Sequence, residues 1–261
     1  MKISIIIPVY NSENIIVKLI DSIIRVLDNI ESNTDYEIIL VNDFSSDQSW
    51  DVIKNLTIKY RFIKGISLKK NYGQHNAIMC GLKYSSGDII ITMDDDFQHE
   101  PEFIKKIYLE LKKKETEVCY TSYLNRKHTL FKKVVSWLNN LFTTWFLEKP
   151  FNLYLSSFRG FKRIICNKLL DYKSSDIYID GIIVKSTKKI SMISVIHNDR
   201  LSGSSNYTIK RLFILWSSML INYQPSSFKL TNFLRFFLKY LALFFRNNDC
   251  HEQYLIEKKT F

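Results

Sequence analysis

The opening stretch Met1-Lys-Ile-Ser-Ile-Ile-Ile-Pro8-Val9-Tyr10-Asn11 is a short apolar run that stops at a turn signal. From Ser12 to Leu27 the residues Ile15, Ile16, Leu19, Ile20, Ile23 and Ile24 recur at the three-to-four spacing of one helix face. A second apolar run, Tyr36 to Val41, ends at Asn42-Asp43-Phe44-Ser45-Ser46-Asp47 and precedes a helix-like stretch from Gln48 to Tyr60. Phe62 to Leu68 then reads as strand, Gly73 to Tyr84 as helix and Asp88 to Met93 as strand again. Apolar strands alternating with helices predict an α/β fold, a mostly parallel sheet with helices on both faces. In such a fold ligands sit at the carboxyl ends of the strands.

Those strand ends carry the polar chemistry. The strand ending at Met93 runs into Asp94-Asp95-Asp96-Phe97-Gln98, three consecutive carboxylates after an otherwise buried segment. Like charges so close repel unless a cation or hydrogen-bond donors offset them. An oxygen-only donor set suits Mg²⁺ or Mn²⁺ rather than Zn²⁺. The plainer alternative is an acidic loop capping the helix that begins near Pro101, whose N-terminal end also favours carboxylates. On an extended strand, Asp94 and Asp96 would face one side and Asp95 the other.

In order along the chain, Pro8-Val9-Tyr10-Asn11, Val41-Asn42-Asp43-Phe44-Ser45-Ser46-Asp47, Lys70-Asn71-Tyr72-Gly73 with Ala77, and Met93-Asp94-Asp95-Asp96 resemble the successive signatures of the inverting family 2 glycosyltransferases, which have the nucleotide-diphospho-sugar transferase (GT-A) fold. Asp94-x-Asp96-x-Gln98-His99-x-Pro101-Glu102 and Arg200-Leu-Ser-Gly203-Ser-Ser205-Asn-Tyr207-Thr-Ile-Lys210 are most similar to the polyprenyl-phosphate subgroup. The likeness covers roughly residues 3 to 215. It implies a nucleoside-diphosphate sugar donor, with Pro8, Tyr10, Glu13, Asp43, Lys70, Asn71, Asp94 and Asp95 around the nucleotide. It implies Asp96 and Gln98, with Asp94, as metal ligands. Asp43 could instead cap the following helix, a role that suits Asp47 better. Asp95 departs from the small residue many relatives carry, which leaves open which two acids point inward. Arg126, Arg159 and Arg200 are candidate phosphate binders, because guanidinium forks match phosphate oxygens. In relatives the loop headed by Arg200 folds over the diphosphate, and here it brings Ser205 and Lys210 as further donors.

The formal net charge of +11 is unevenly spread, with ten Arg and Lys against one Glu and one Asp from Tyr123 to Ser175. Such a bias suits diphosphate substrates or anionic lipid head groups. Nucleic acid is the weakest partner, since no binding motif accompanies the charge. Cys80, Cys119, Cys166 and Cys250 lack CxxC or zinc-like spacing and read as buried or incidental thiols. A strand starting at Lys2 to Ile3 leaves no room for a signal peptide, which predicts a cytoplasmic protein. Two domains are expected: a catalytic unit over 1–210 and a helical appendage over 211–261. Within the appendage, Leu212 to Tyr223 and Phe233 to Phe245 are strongly apolar, the latter broken by Arg235 and Lys239. Neither reaches the roughly 20 residues needed to span a bilayer. Amphipathic helices lying in the interface are expected, peripheral to the inner membrane face, with packing on the catalytic domain or a second subunit as the alternative.

The catalytic group implied is Asp94, Asp96, Arg200 and Asp180. The reaction implied is sugar transfer with inversion to a polyprenyl phosphate, or else to a hydroxyl of a lipid-linked oligosaccharide or surface polysaccharide. A phosphate acceptor is already an anion, whereas a hydroxyl needs a carboxylate within reach. Asp180, in Tyr178-Ile179-Asp180-Gly181, falls where hydroxyl-using members carry their base. It could serve as that base, order the acceptor or cap a helix. Readings of another class are a domain that binds nucleotide sugar without turnover and a membrane adaptor.

Overall fold

The computed structural model describes residues 1–31, 34–124, 140–173, 177–196 and 253–261. Arg126, Arg200, Ser205 and Lys210, together with both apolar tail segments, lie outside the described residues.

The four early apolar runs form parallel neighbours at the centre of one sheet. They are β1 (Ile3–Val9), β2 (Tyr36–Asn42), β3 (Ile63–Leu68) and β4 (Ile89–Thr92). Between them run α1 (Ile16–Asp28), α2 (Ser49–Lys59) and α3 (Gln74–Tyr84). After β4 come α4 (Phe103–Lys112), β5 (Val118–Leu124), a helix α5 described over 140–147, β6 (Arg159–Lys162), α6 (Arg163–Leu170), α7 (Ile179–Ser186), β7 (Ile190–Ile196) and β8 (Ile256–Lys259). The sheet order is β7-β5-β6-β4-β1-β2-β3-β8.

All seven residues of β1 are buried, because helices cover both faces of the sheet. Ile6, Ile39 and Ile90 face a cluster with Ala77 and Ile78 of α3, Ile165 of α6 and Ile183 of α7. Ile5, Ile7, Ile38 and Ile91 face the opposite cluster, with Leu19 and Ile23 of α1, Ile53 of α2 and Ile107 of α4. Cys80, Cys119 and Cys166 are buried free thiols within this framework.

The sheet is more mixed than the strand–helix alternation predicts. β6 pairs antiparallel with both β4 and β5, and β8 pairs antiparallel with β3. The end of the stretch expected as a helical appendage is therefore a strand: Lys69 N–H donates to Leu255 O at 2.9 Å, and Thr260 N–H donates to Gly65 O at 3.1 Å. Since β7 runs parallel to β5 and β8 antiparallel to β3, β7 ends and β8 begins at the rim where β1, β2 and β4 have their carboxyl ends. No helix among the described residues is long and apolar enough to cross a membrane.

Candidate active site

Backbone strain marks this rim. The turns after β1, β2 and β4 each hold a non-glycine residue in the left-handed region: Asn11 at φ 55°, Phe44 at 61° and Phe97 at 60°. Such conformations persist only where surrounding contacts over-determine them, and they concentrate at functional sites. The first two turns are laced together. Asn11 N–H donates to Ser45 Oγ at 3.0 Å, Asn11 Oδ1 accepts from Ser46 N–H at 2.8 Å, and Glu13 Oε2 accepts from Gln48 N–H at 2.7 Å. Asp47 caps α2 by accepting from Ser49 N–H at 3.0 Å, and its other oxygen accepts from Glu13 N–H at 3.1 Å. Pro8 is buried at the end of β1, while Tyr10 is about half exposed beyond it.

Asp43 directs both oxygens at the next loop. It accepts from the backbone N–H groups of Tyr72 at 2.7 Å and Gly73 at 2.8 Å. Gly73, at φ 84°, supplies the turn that leads into α3. Burial pushes the Asp43 carboxyl up despite these two donors. Its observed work is to hold Lys70-Asn71-Tyr72-Gly73 against the end of β2, capping the entry to α3 rather than to α2.

The acidic run leaves β4 after Thr92, and its carboxylates diverge. Asp94 accepts from Gln74 Nε2 at 2.5 Å and from Ser157 Oγ at 2.6 Å, with His99 Nε2 at 3.7 Å. Burial alone would raise this group, but His99, Ser157 and the charge of Arg159 outweigh it and hold it below the usual range. Asp95 turns the other way, accepting from Tyr10 N–H at 3.0 Å and from the Ser12 hydroxyl. Burial, with Asp94 and Asp96 beside it, lifts it to about 6. Asp96 accepts from the N–H of Gln98 at 3.1 Å. Among the described residues no group of three His, Cys, Asp or Glu side chains converges to enclose a metal by itself. The set fits Mg²⁺ or Mn²⁺ nonetheless, because such ions keep water and substrate phosphates in their shells and need only one or two protein carboxylates. A cation there would also relieve the mutual repulsion of three neighbouring acids.

Beneath this cluster lies a buried polar group that joins two sequence candidates. Arg159 pairs in register with Thr92 of β4 and Tyr120 of β5. Its Nη1 donates to Asp180 Oδ1, in the first turn of α7, and to Ser156 O at 3.3 Å. The Tyr120 hydroxyl donates to the same Asp180 oxygen at 2.7 Å. Arg159 is 1% exposed, and among the described residues its Nε has no acceptor; a buried donor left unmet costs about 1 to 3 kcal/mol. His75, at the start of α3, packs edge-on against Tyr178 with ring centroids 5.5 Å apart. Burial lowers its pKa to about 4, so the imidazole is neutral.

The structure thus gathers Asp94, Asp95, Asp96, Gln98, Asp43, Tyr10 and Glu13 at one rim, with Arg159 and Asp180 paired below. Gln74, Ser157, Ser12, Tyr120 and His75 were not legible as site residues. Gln74 directly follows the Lys70–Gly73 signature and Ser157 precedes Phe158-Arg159, so both lay beside marked positions. Nothing in the sequence pointed to Tyr120.

The family model for glycosyl transferase family 2 matches residues 4–170. An undecaprenyl-phosphate 4-deoxy-4-formamido-L-arabinose transferase of Proteus mirabilis (strain HI4320) is 31% identical over 220 residues, 84% of this chain and 67% of that protein. The protein of the same name from Yersinia pestis (strain Pestoides F) is 33% identical over 220 residues, 84% of this chain and 66% of that one. The chain therefore spans about two thirds of the length of these relatives. In fold it is similar to glucosyl-3-phosphoglycerate synthase from Mycobacterium tuberculosis, crystallised with Mn²⁺ and UDP-glucose, with TM-score 0.62 at 18% identity over 87% of this chain and 80% of that one. Staphylococcus aureus TarS superposes with TM-score 0.57 at 18% identity, covering 93% of this chain and 43% of that one. Those neighbours establish the GT-A fold. The family match runs from β1 through α6 and takes in both the acidic rim and Arg159, so the chain belongs to glycosyl transferase family 2 and is a glycosyltransferase.

Proposed function

We propose that this chain transfers a sugar, with inversion, from a nucleoside-diphosphate sugar to a polyprenyl phosphate at the inner face of the membrane. The observation that carries the proposal is the turn Asp94-Asp95-Asp96, whose first two carboxylates are anchored from α3, the turn after β1 and the segment before β6. The nucleotide would lie between that turn and the laced loops after β1 and β2, over the Lys70–Gly73 segment that Asp43 orders. Asp96 and Gln98, with Asp94, would hold Mg²⁺ or Mn²⁺. Such an ion supplies positive charge opposite the diphosphate as it leaves. Asp95 keeps the turn after β1 in place through Tyr10 and Ser12. The names of the relatives support the lipid-phosphate acceptor, and the basic excess of the chain suits two anionic substrates meeting at a membrane. An acceptor that is already ionised needs no deprotonation near neutral pH.

The test is a screen of nucleotide sugars, including UDP-glucose, GDP-mannose and UDP-4-deoxy-4-formamido-L-arabinose, with undecaprenyl phosphate and Mn²⁺, reading the lipid product by mass. A glycosylated lipid phosphate is expected from one donor, and activity should vanish in excess EDTA. Full activity in EDTA would remove the metal from the mechanism. Nucleotide release without any lipid product would remove the acceptor.

A further inference from the structure

We infer that Asp180 is a positioning residue for Arg159 rather than the base of the reaction, and that Asp180, Arg159 and Tyr120 together select a phosphate acceptor over a hydroxyl. The inference rests on the acceptor reading above and gives it a structural element. A general base needs a carboxylate oxygen facing the acceptor hydroxyl with room to take its proton. Oδ1 of Asp180 instead receives two protein donors, the Arg159 guanidinium and the Tyr120 hydroxyl at 2.7 Å. All three residues are buried, at 7%, 1% and 0% exposure. Arg159 is restrained from other directions too, by Ser156 O at 3.3 Å and by the Tyr120 ring, whose centroid lies 5.9 Å from its Cζ.

A guanidinium clamped through Nη1 has its other donors fixed in one plane, and among the described residues the buried Nε lacks an acceptor. That arrangement can meet phosphate oxygens and cannot remove a proton from a hydroxyl. The negative charge of Asp180 is matched, through Oδ1, by the arginine. Its removal would free Arg159 from the orientation in which an anion can use it.

The experiment compares binding of farnesyl phosphate and farnesol, two ligands with the same chain and different head groups, by calorimetry in the presence of UDP and Mn²⁺. Wild-type protein should prefer the phosphate. Asp180→Asn and Tyr120→Phe should each lose about ten- to a hundredfold of that preference, whereas Asp180→Glu should keep most of it. With undecaprenyl phosphate as acceptor, Asp180→Asn should raise the acceptor KM more than it lowers kcat and leave the pH dependence of kcat unchanged in shape. Tyr120→Phe deletes one donor and no charge, so it decides the matter if Asp180→Asn does not fold. An unchanged head-group preference in the folded variants would overturn the inference, most plainly if kcat fell by about 10² to 10⁴ as for a lost base. Wild-type protein that makes no lipid product and shows no head-group preference would take down the acceptor reading and this inference together.

Discussion

Three adjacent aspartates carry three different tasks, and their neighbours assign them. Asp94 is held by Gln74 and Ser157, Asp95 by Tyr10 and Ser12, and Asp96 by the N–H of Gln98. Substitutions should therefore separate. Asp96→Asn should lower kcat by about two to three orders of magnitude, the usual cost of removing one preorganised stabiliser of transition-state charge. Asp95→Asn should act through the turn after β1 and appear mainly as a raised donor KM. Steady-state kinetics with saturating Mn²⁺ check both, and equal losses in kcat would mean that the turn works as one unit. The sequence brought these residues to notice by charge and spacing. Asp43 reads in the sequence as a nucleotide contact or a helix cap, and in this structure each of its oxygens accepts a backbone N–H of the Lys70–Gly73 loop.

At the scale of elements, the end of the sheet away from the site is tied by one buried carboxylate. Glu37 on β2 accepts from Ser4 of β1 at 2.6 Å, Lys64 of β3 at 2.8 Å and Ser86 N–H, before β4, at 2.6 Å. Burial would raise its pKa, but the hydrogen bonds from Lys64, Ser4 and Ser86 win and bring it from an ordinary 4.5 down to about 2. A depressed folded value means stability that is present above the unfolded pKa and lost as pH falls through the folded one. Glu37→Gln should thus be destabilised by about 1.5 to 3 kcal/mol at neutral pH, and the gap should close between about pH 5 and pH 2. Urea unfolding across that range checks it. The other edge element is β8. Removing residues 255–261 takes away its ladder and the Thr260 hydroxyl that accepts from Gly65 N–H at 2.9 Å. A loss of about 2 to 3 kcal/mol corresponds to a melting temperature lower by roughly 4 to 12 °C. The bared edge of β3 should also promote self-association, visible by sedimentation.

For the whole molecule, the acidic turn and the inner ends of both edge strands share one rim of the sheet. β7 ends and β8 begins on that rim, at its two opposite edges, and the residues between them in sequence include the aromatic, basic stretch Phe233 to Phe245. If that stretch lies in the interface, replacing Leu238 and Leu241 with Glu should shift the protein to the soluble fraction, since each buried apolar side chain contributes roughly 1.5 to 3 kcal/mol. Unchanged membrane association would favour packing on the catalytic domain or on a second subunit. Family membership sets aside the adaptor and the non-catalytic binder, leaving a glycosyltransferase.

Local pattern carried the sequence reading far. The early helices and strands lie within a few residues of where apolar periodicity puts them, because each element's buried face is written in consecutive residues. The rim followed, since parallel strands leave their polar ends together. Tertiary structure decided what periodicity does not encode. Arg159 meets Asp180 across 21 residues and Tyr120 meets Asp180 across 60, contacts set by strand order and by the docking of α7. β8 closes on β3 with Gly65 and Thr260 195 positions apart, a pairing with no local signal in Ile256-Glu-Lys-Lys259. The left-handed conformations of Phe44 and Phe97 run against the preference of their own side chains. Only the contacts converging on the rim can hold them there.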